Sequence, residues 1–197
     1  MIKIYKFLQR LIGYIERMNF NKILFQDNIE LGKDVIFKKN PILQIHKESK
    51  LIIEDNVTIN SDNYGYHVNM FNTSKIMADK PNAIIKIGAK TRFHGSCIHA
   101  YTKIEIGKNC LIAANCQIID GNGHDISFPN VENRINTTGT SKPVIIEDNV
   151  WLATGVVVLP GVTIGKGSII TANSVVHKDI PQNVIAGGNP LSILKYF

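Results

Sequence analysis

A histidine with two nearby aspartates stands in the polar segment that follows Ile118. The segment, residues 120–125, contains Asp120, His124 and Asp125 separated by glycines and an asparagine. An imidazole with an ordinary pKa of about 6.5 is largely neutral near pH 7, so it can take a proton from a nucleophile. A carboxylate can hold the correct tautomer, and Asp120 is preferred because Asp125 is adjacent to the histidine. The alternative interpretation of His124 is a solvated loop residue.

A six-residue period runs through the C-terminal half and must position these residues. Branched aliphatic residues recur at every sixth position, and small or β-branched residues recur four positions later. The first set is Ile146, Leu152, Val158, Ile164, Ile170 and Val176; the second is Val150, Val156, Val162, Ser168, Ser174 and Ile180. Earlier runs repeat the pattern at Ile106, Ile112 and Ile118, and at Ile87 and Phe93. Internal repetition of this kind indicates a repeat architecture.

The two common secondary-structure periods do not explain this repeat. An α-helix needs a 3.6-residue spacing, and Pro160 and Gly161 would interrupt it. An amphipathic strand alternates with period two and has no break every six residues. A small residue after the aliphatic one, as at Gly107 and Gly165, predicts a short strand, a corner and another short strand. The sequence therefore predicts an all-β solenoid of stacked coils.

Two segments break the period, at about residues 61–83 and 120–143, and both predict excursions from the coils. Ile118 and Ile146 are 28 residues apart, which is not a multiple of six, so a loop must leave and return. Long loops on rigid scaffolds often carry function. The predicted organisation is an N-terminal helix over residues 1–20, coils over 21–185 and a tail over 186–197.

The N-terminal helix is predicted from apolar residues at helical spacing. These residues are Ile4, Phe7, Leu8, Leu11, Ile12, Ile15 and Met18. Two interpretations remain open. The helix packs on the coils or on a neighbouring subunit, or it lies on a membrane surface. The second would use the flanking basic residues Lys3, Lys6, Arg10 and Arg17.

Composition narrows the classes of protein and partner. The chain has 197 residues, of which 44% are hydrophobic and 19% charged, as in one globular domain. Its net charge of +6 favours an anionic partner, but no basic run interleaved with aromatics predicts nucleic-acid binding. No apolar run is long enough to span a membrane, and no signal-peptide cleavage site follows the N-terminal segment. Three cysteines match no zinc spacing and predict reduced thiols in a cytoplasmic protein.

The stretch from about Ile87 to Lys195 resembles the hexapeptide-repeat acyltransferases, and within them the maltose, galactoside and polysaccharide O-acetyltransferase group. The segments that carry the resemblance are 106–113, 148–152, 159–165 (Leu-Pro-Gly-Val-Thr-Ile-Gly) and 187–190 (Gly-Gly-Asn-Pro). The resemblance covers a little over half of the chain. It implies a left-handed parallel β-helix with three hexads per triangular coil, and a homotrimer with active sites between subunits.

The resemblance also implies which residues act. His124 corresponds to a catalytic base at the foot of the family's extruded loop. His94 stands where the family often has an asparagine near the acceptor or thioester, so it is predicted to bind the oxyanion or the sugar. The implied CoA contacts are Trp151, Thr154, Ala172, His177, Lys178 and Lys195. The chain departs from the family at Leu191-Ser192, where an arginine is usual.

We therefore expect transfer of an acetyl group from acetyl-CoA to a saccharide hydroxyl, with no metal required. The expected saccharide is a bacterial surface polysaccharide. Location in the cytoplasm is expected, with contact to the inner membrane surface open. One alternative is N-acetylation of an amino sugar, although no glycine-rich nucleotide fingerprint is present. Another is a metal hydratase of the γ-carbonic-anhydrase type, which the five-residue spacing of His94 and His99 allows. A catalytically inert scaffold is the third.

Overall fold

The computed structural model of the protein describes residues 20–197 and, before them, Tyr5, Leu11, Tyr14 and Met18, all four of which are helical. Residues 20–24 are helical too, and Phe20 is buried with its ring 5.1 Å from that of Phe37. The other residues of the helix predicted over 1–20 lie outside the described residues. No helix of the described part has the length and apolar content that a membrane span needs.

Short parallel strands form three sheets that make the sides of a triangular prism. Sheet A has the order β1-β4-β7-β10-β13-β16, sheet B β2-β5-β8-β11-β14-β17-β19-β20, and sheet C β18-β15-β12-β9-β6-β3. The strands are β1 Ile29–Leu31, β2 Ile36–Lys38, β3 Ile42–Ile45, β4 Lys50–Ile53, β5 Thr58–Asn60, β6 Lys75–Ala78, β7 Ile84–Ile87, β8 Arg92–His94, β9 Cys97–His99, β10 Lys103–Ile106, β11 Leu111–Ile112, β12 Gln117–Ile119, β13 Val144–Ile146, β14 Trp151–Leu152, β15 Val157–Val158, β16 Thr163–Ile164, β17 Ile169–Ile170, β18 Val175–Val176, β19 Val184–Gly187 and β20 Ser192–Tyr196.

From β1 to β18 the chain visits the sheets in the order A, B, C, and this creates three edges, which we call AB, BC and CA. Each strand pairs with the strand one coil away, for example Ile106 with Ile146 and Leu111 with Trp151. This is the left-handed parallel β-helix that the sequence predicts, and the prediction of the fold is confirmed.

The six-residue period marks the side chains that fill the prism. Every aliphatic residue of the C-terminal series is essentially inaccessible, and the residues four positions later are buried as well. The inward side chains stack into one continuous hydrophobic core from Ile29 to Leu191. Cys110 and Cys116 belong to this core as free thiols, and burial raises the pKa of each to about 11. The core gives the prism a rigid wall on which loops can be mounted.

The corners of edge AB explain why an asparagine precedes the inward residue in three of the coils. Asn56, Asn109 and Asn149 all have φ near +60°, where asparagine and glycine are tolerated better than other residues. Asp148 adds a carboxylate oxygen that accepts the Lys108 N–H of the adjacent coil at 2.7 Å. Each coil is therefore joined to the next at its corner as well as through its strands.

Two predicted ranges differ from the structure. Strand β6 lies inside the range predicted as an excursion over 61–83, so the first excursion covers residues 61–74 and leaves from edge BC. The tail over 186–197 forms β20, which turns back and pairs antiparallel with β19. The second excursion, residues 120–143, leaves from edge CA and contains a 3₁₀ helix over Val131–Asn136.

Candidate functional site

The root of the 120–143 excursion is fixed by Asp120. Its side chain is buried, and its two carboxylate oxygens accept the backbone N–H groups of Tyr101, Thr102 and Lys103 at 2.6–2.8 Å. The Thr102 hydroxyl donates a fourth bond at 2.9 Å. The backbone of Asp120 joins the returning chain, because its carbonyl accepts the Lys142 N–H at 2.7 Å. Asp120 therefore anchors the foot of the loop to the preceding coil.

This arrangement corrects the orienting role expected of Asp120. An inward carboxylate that already accepts four hydrogen bonds is committed to the coil beneath it, and no contact joins it to His124 in the described chain. His124 itself is exposed, and its ring has no hydrogen-bond partner among the described residues. The neighbouring Asp125 uses its carboxylate to accept the Ser127 N–H at 2.6 Å. Within one chain, the predicted base His124 thus lies on a loop whose first residue is fixed by hydrogen bonds, while its own imidazole is exposed.

His94 ends β8 at edge BC, where it packs against the 61–74 excursion. Its ring stacks on that of Tyr66, with centroids 4.6 Å apart and an angle of 17° between the planes. The Nδ1 atom is buried without a hydrogen-bond partner, whereas Nε2 is neither buried nor bonded within the described residues. Burial lowers the pKa of His94 to about 4, with smaller contributions from the charges of Arg92 and Lys38.

These facts define the state of the His94 ring near neutral pH. With a pKa of about 4 the ring is uncharged and carries one proton. A buried N–H without an acceptor is rarer than a buried lone pair without a donor, which favours the tautomer with the proton on Nε2. His94 can therefore present a neutral hydrogen-bond donor at the surface of edge BC.

The 61–74 excursion is firmly held against this edge. The Asn115 side chain accepts the Phe71 N–H at 2.9 Å and donates to the Asn69 carbonyl at 3.0 Å. Met70 is buried against Gly95, where an added Cβ would lie 2.6–2.8 Å from the methionine side chain. Gly95 has a φ of +45° as well, so both space and backbone conformation favour glycine there. The sequence analysis missed Tyr66 and Asn115, because neither stands at a repeat position.

A groove of about 670 Å³ runs along edge BC and the adjoining surface of sheet C. Its lining includes Phe71 and Lys75 beside the excursion, and Gly155 and Asn173 further along the edge. Cys97 also lines the groove, and burial raises the pKa of its thiol. A groove of this size can hold an extended ligand along the axis of the prism.

The predicted CoA contacts fall on two edges and one face. Thr154 and Ala172 lie on successive coils at edge BC, joined by the bond from the Asn173 N–H to the Thr154 carbonyl at 2.9 Å. His177 and Lys178 follow β18 at edge CA and are exposed. Trp151 and Lys195 lie on sheet B, where Trp151 is 45% exposed, as expected for an outward residue. In a single chain these residues do not converge on one pocket.

The outer face of sheet B carries two parallel columns of side chains. Leu111, Trp151 and Ile169 are paired in register and form an apolar column. Beside it, the residue after each inward aliphatic forms a second column. Its members are His94, Ala113, Ala153 and Thr171. A channel floored by small residues and walled by Trp151 therefore leads to the His94 ring.

The imidazole of His99 is paired with a carboxylate. Its Nε2 lies 2.9 Å from Oδ1 of Asp79, and its ring contacts that of Tyr101. Among residues 20–197, no group of three His, Cys, Asp or Glu side chains is arranged to hold a metal ion.

Comparison with known proteins agrees with this geometry. Residues 143–178 match the family described as bacterial transferase hexapeptide (six repeats). The galactoside O-acetyltransferase of Lactococcus lactis is 40% identical over 123 residues, which are 57% of this chain and 59% of that protein. The chain spans about half the length of the curated relatives it matches.

Solved structures extend the likeness beyond the repeats. A hexapeptide-repeat acetyltransferase of Vibrio cholerae, complexed with acetyl-CoA, has a TM-score of 0.54 and 25% identity, covering 88% of this chain and 73% of its own. A polysialic-acid-specific acetyltransferase has a TM-score of 0.56 and 26% identity, covering 87% and 88%. The chain thus carries the bacterial transferase hexapeptide repeat over residues 143–178 and is similar to the galactoside and maltose O-acetyltransferases.

Proposed function

We propose that the protein transfers an acetyl group from acetyl-CoA to a saccharide hydroxyl. The proposed saccharide is a bacterial surface polysaccharide. The carrying observation is the channel on sheet B that ends at the neutral, half-buried His94 ring. Small residues at Ala113 and Ala153 leave room for the pantetheine arm, and Trp151 forms one wall. The relatives named as galactoside and polysialic-acid acetyltransferases support a saccharide acceptor.

In this proposal CoA lies along edge BC with its thioester towards His94. Backbone groups near Thr154 and Ala172 pair with the pantetheine amides. Lys195 meets the phosphates as a point charge, and Lys178, which lies at edge CA, does so from an adjoining copy of the chain. The Lys195 ammonium lies 4.4 Å from the centroid of the Phe197 ring. No carboxylate among the described residues lies within ion-pair distance of it.

The chemistry needs a base and an oxyanion donor. His124 takes the proton from the acceptor hydroxyl while its oxygen attacks the thioester carbonyl. The Nε2–H group of His94 donates to the oxyanion that forms, in a site where water is partly excluded. When the C–S bond breaks, the proton passes from His124 to the CoA sulfur. The acetyl ester and free CoA are the products.

The two histidines lie on different edges of the prism, and this motivates the proposal of a homotrimer. His94 is at edge BC, whereas the foot of the His124 loop is at edge CA. We propose that His124 of one copy meets His94 of the next. Exposed apolar side chains on the loop, those of Ile126, Phe128 and Ile135, supply the contact with the second copy.

Single substitutions test the assigned chemistry. His124→Ala should lower kcat by about 10²–10⁴-fold with little change in the KM for acetyl-CoA. His46→Ala is the matched control, because His46 lies on an N-terminal coil at edge CA and takes no part in the proposed site. Release of the CoA thiol in the presence of a glycan panel measures the rate, and sensitivity of the product to hydroxylamine distinguishes an ester from an amide. An unchanged rate for His124→Ala contradicts the assignment.

Mixed assemblies test where the site lies. The variants His124→Ala and His94→Gln should each be nearly inactive alone. After they are unfolded and refolded together, about one quarter of the sites in a random trimer should contain both native histidines. Recovery of activity supports a site between copies. No recovery, with mixed assemblies verified by mass, means that both histidines act within one chain.

A further inference from the structure

Two cations flank His94 on the outer face of sheet B. Arg92 precedes His94 by two residues in β8, so both side chains leave the same face of the strand. Lys38 pairs in register with Asn60, and Asn60 pairs with His94, which places Lys38 two strands away in the same column. Both cations are exposed. Together they form a basic patch, defined here as Lys38 and Arg92, next to the proposed oxyanion donor.

The basic patch lacks the carboxylate partners that other lysines of the coils have. Lys50 pairs with Glu30 at 2.6 Å, and Lys103 with Glu105 at 2.8 Å. Among residues 20–197 no carboxylate lies within ion-pair distance of Arg92 or Lys38. The charge of Lys38 contributes to the lowered pKa of the Asp62 carboxyl. Its carboxylate is already bound by Lys39 at 2.6 Å and by the Tyr64 N–H at 3.1 Å.

The electrostatic field around His94 is accordingly positive. The charges that lower the pKa of its ring are those of Arg92, Lys38 and His67, and no carboxylate opposes them. Cations held together without counterions repel one another, and this arrangement favours a bound anion. Arginine is suited to a carboxylate, because its planar group can donate two parallel hydrogen bonds.

The position of the patch indicates which reactant carries the anion, given the proposed function. On sheet B, Arg92 lies on β8 beside His94 and Lys38 lies on β2, two strands towards the N-terminal end, whereas Trp151 and Lys195 lie on β14 and β20 towards the C-terminal end. The CoA phosphates therefore belong to the opposite end of the channel. An anion bound between Arg92 and Lys38 would lie at the level of His94 or on its N-terminal side, away from the CoA phosphates, and we assign it to the acceptor.

Exposed aromatic rings on the 61–74 excursion fit a saccharide at this place. Tyr64 is 93% exposed and Phe71 is 76% exposed, and Tyr66 covers one face of His94. Flat aromatic faces pack well against the C–H groups of sugar rings, and the firm attachment of the excursion lowers the entropy lost on binding. We propose that the acceptor is an acidic saccharide. Its carboxylate pairs with Arg92 and Lys38 while the hydroxyl to be acetylated lies beside His94.

Matched pairs of acceptors test this proposal. Short oligomers of galacturonic acid, hyaluronan fragments and oligosialic acid are compared with their carboxyl-reduced, neutral counterparts. The wild-type kcat/KM should be about 10–100-fold higher for at least one acidic oligomer than for its neutral partner, since a hydrogen-bonded ion pair contributes about 1.5–3 kcal/mol. Arg92→Gln should abolish the preference by raising the KM for the acidic oligomer, with the KM for acetyl-CoA unchanged. Lys47→Gln, a highly exposed lysine on another edge, is the matched control.

Direct binding separates failure of this inference from failure of the proposed function. Calorimetric titration measures the affinity for the same oligomers without any turnover. Affinity for an acidic oligomer that is lost in Arg92→Gln supports the acidic acceptor even if no acetyl transfer is detected. Equal use of both members of every pair, failure to bind any acidic oligomer, or a raised KM for acetyl-CoA in Arg92→Gln overturns the inference. The last result would assign the patch to the CoA phosphates.

Discussion

The two excursions from the prism are built in opposite ways. The 61–74 excursion is held along its length by the Asn115 side chain and by Met70, which is buried against Gly95. The 120–143 excursion is joined to the prism at its foot, through Asp120 and an isolated bridge between Gly121 and Ser141. Beyond the foot, its bonds are internal, such as that from the Arg134 guanidinium to the Ile126 carbonyl. The 61–74 excursion therefore packs against the prism of its own chain, whereas the 120–143 excursion extends exposed apolar side chains away from it.

This difference separates two tasks that one loop could not perform well. A wall that binds an acceptor is most useful when it is rigid in the free protein, because the entropy of ordering it is then not lost on binding. A loop that carries a base into a neighbouring copy needs a firm foot and a tip that gains its contacts on assembly. The comparison can be tested by removing the bonds that hold each excursion.

The largest effect is expected at the foot of the 120–143 excursion. Asp120→Asn replaces one acceptor oxygen by an NH₂ group that faces backbone N–H donors. The free energy of unfolding should fall by ~2–4 kcal/mol, measured by urea denaturation. Asp125→Asn is the control, because it keeps the oxygen that accepts the Ser127 N–H and should change stability by less than ~0.5 kcal/mol. Equal losses in the two variants would show that the foot is not specially held.

A smaller effect is expected for the hold on the 61–74 excursion. Asn115→Gly removes both bonds from the side-chain amide, while glycine tolerates the φ of +64° at this position. Stability should fall by ~1–2 kcal/mol, and proteolysis within the excursion should become faster. Asn149→Gly has the same backbone geometry, with a φ of +60°, at edge AB and serves as the control. A comparable loss in that control would assign the effect to the backbone alone.

The smallest effect is a pH dependence at the contact between His94 and Tyr66. The unfolded chain binds a proton at this histidine below a pH of about 6.5, whereas the folded ring stays neutral down to a pH of about 4. Stability is therefore lost as the pH falls through this window. In His94→Gln the slope of stability against pH should be shallower between these values. His46→Gln should keep the wild-type slope, and an equal slope in all three proteins would contradict the burial of His94.

The sequence predicted the prism because inward residues repeat without interruption from Ile146 to Val176, and the core selects their size at every step. It could not predict β6, whose four residues lie among asparagines, glycine and proline that obscure the pattern. The repeat is weaker in the first coil, where Ile29 is the buried residue of β1 and Leu31 is partly exposed.

The candidate site was harder to predict than the fold. The role of Asp120 could have been found, because it follows inward Ile118 by two residues and an inward carboxylate must be bonded within the coil. The stack of Tyr66 on His94 could not, because it depends on how the 61–74 excursion returns to edge BC. The positions of His94 and His124 on separate edges follow from counting corners, which needs the strand boundaries that the structure provides.

Strand β20 covers the C-terminal end of sheet B. A solenoid whose last coil exposes its strand edges offers a template on which another molecule could add end to end, and fibres grow in this way. Here the chain reverses direction after Pro190 and covers the outer strand of sheet B with a strand of the wrong polarity for another parallel coil. Sheets A and C end in strands of only two residues. The edge of β19 is therefore not available for parallel pairing with a coil of another molecule.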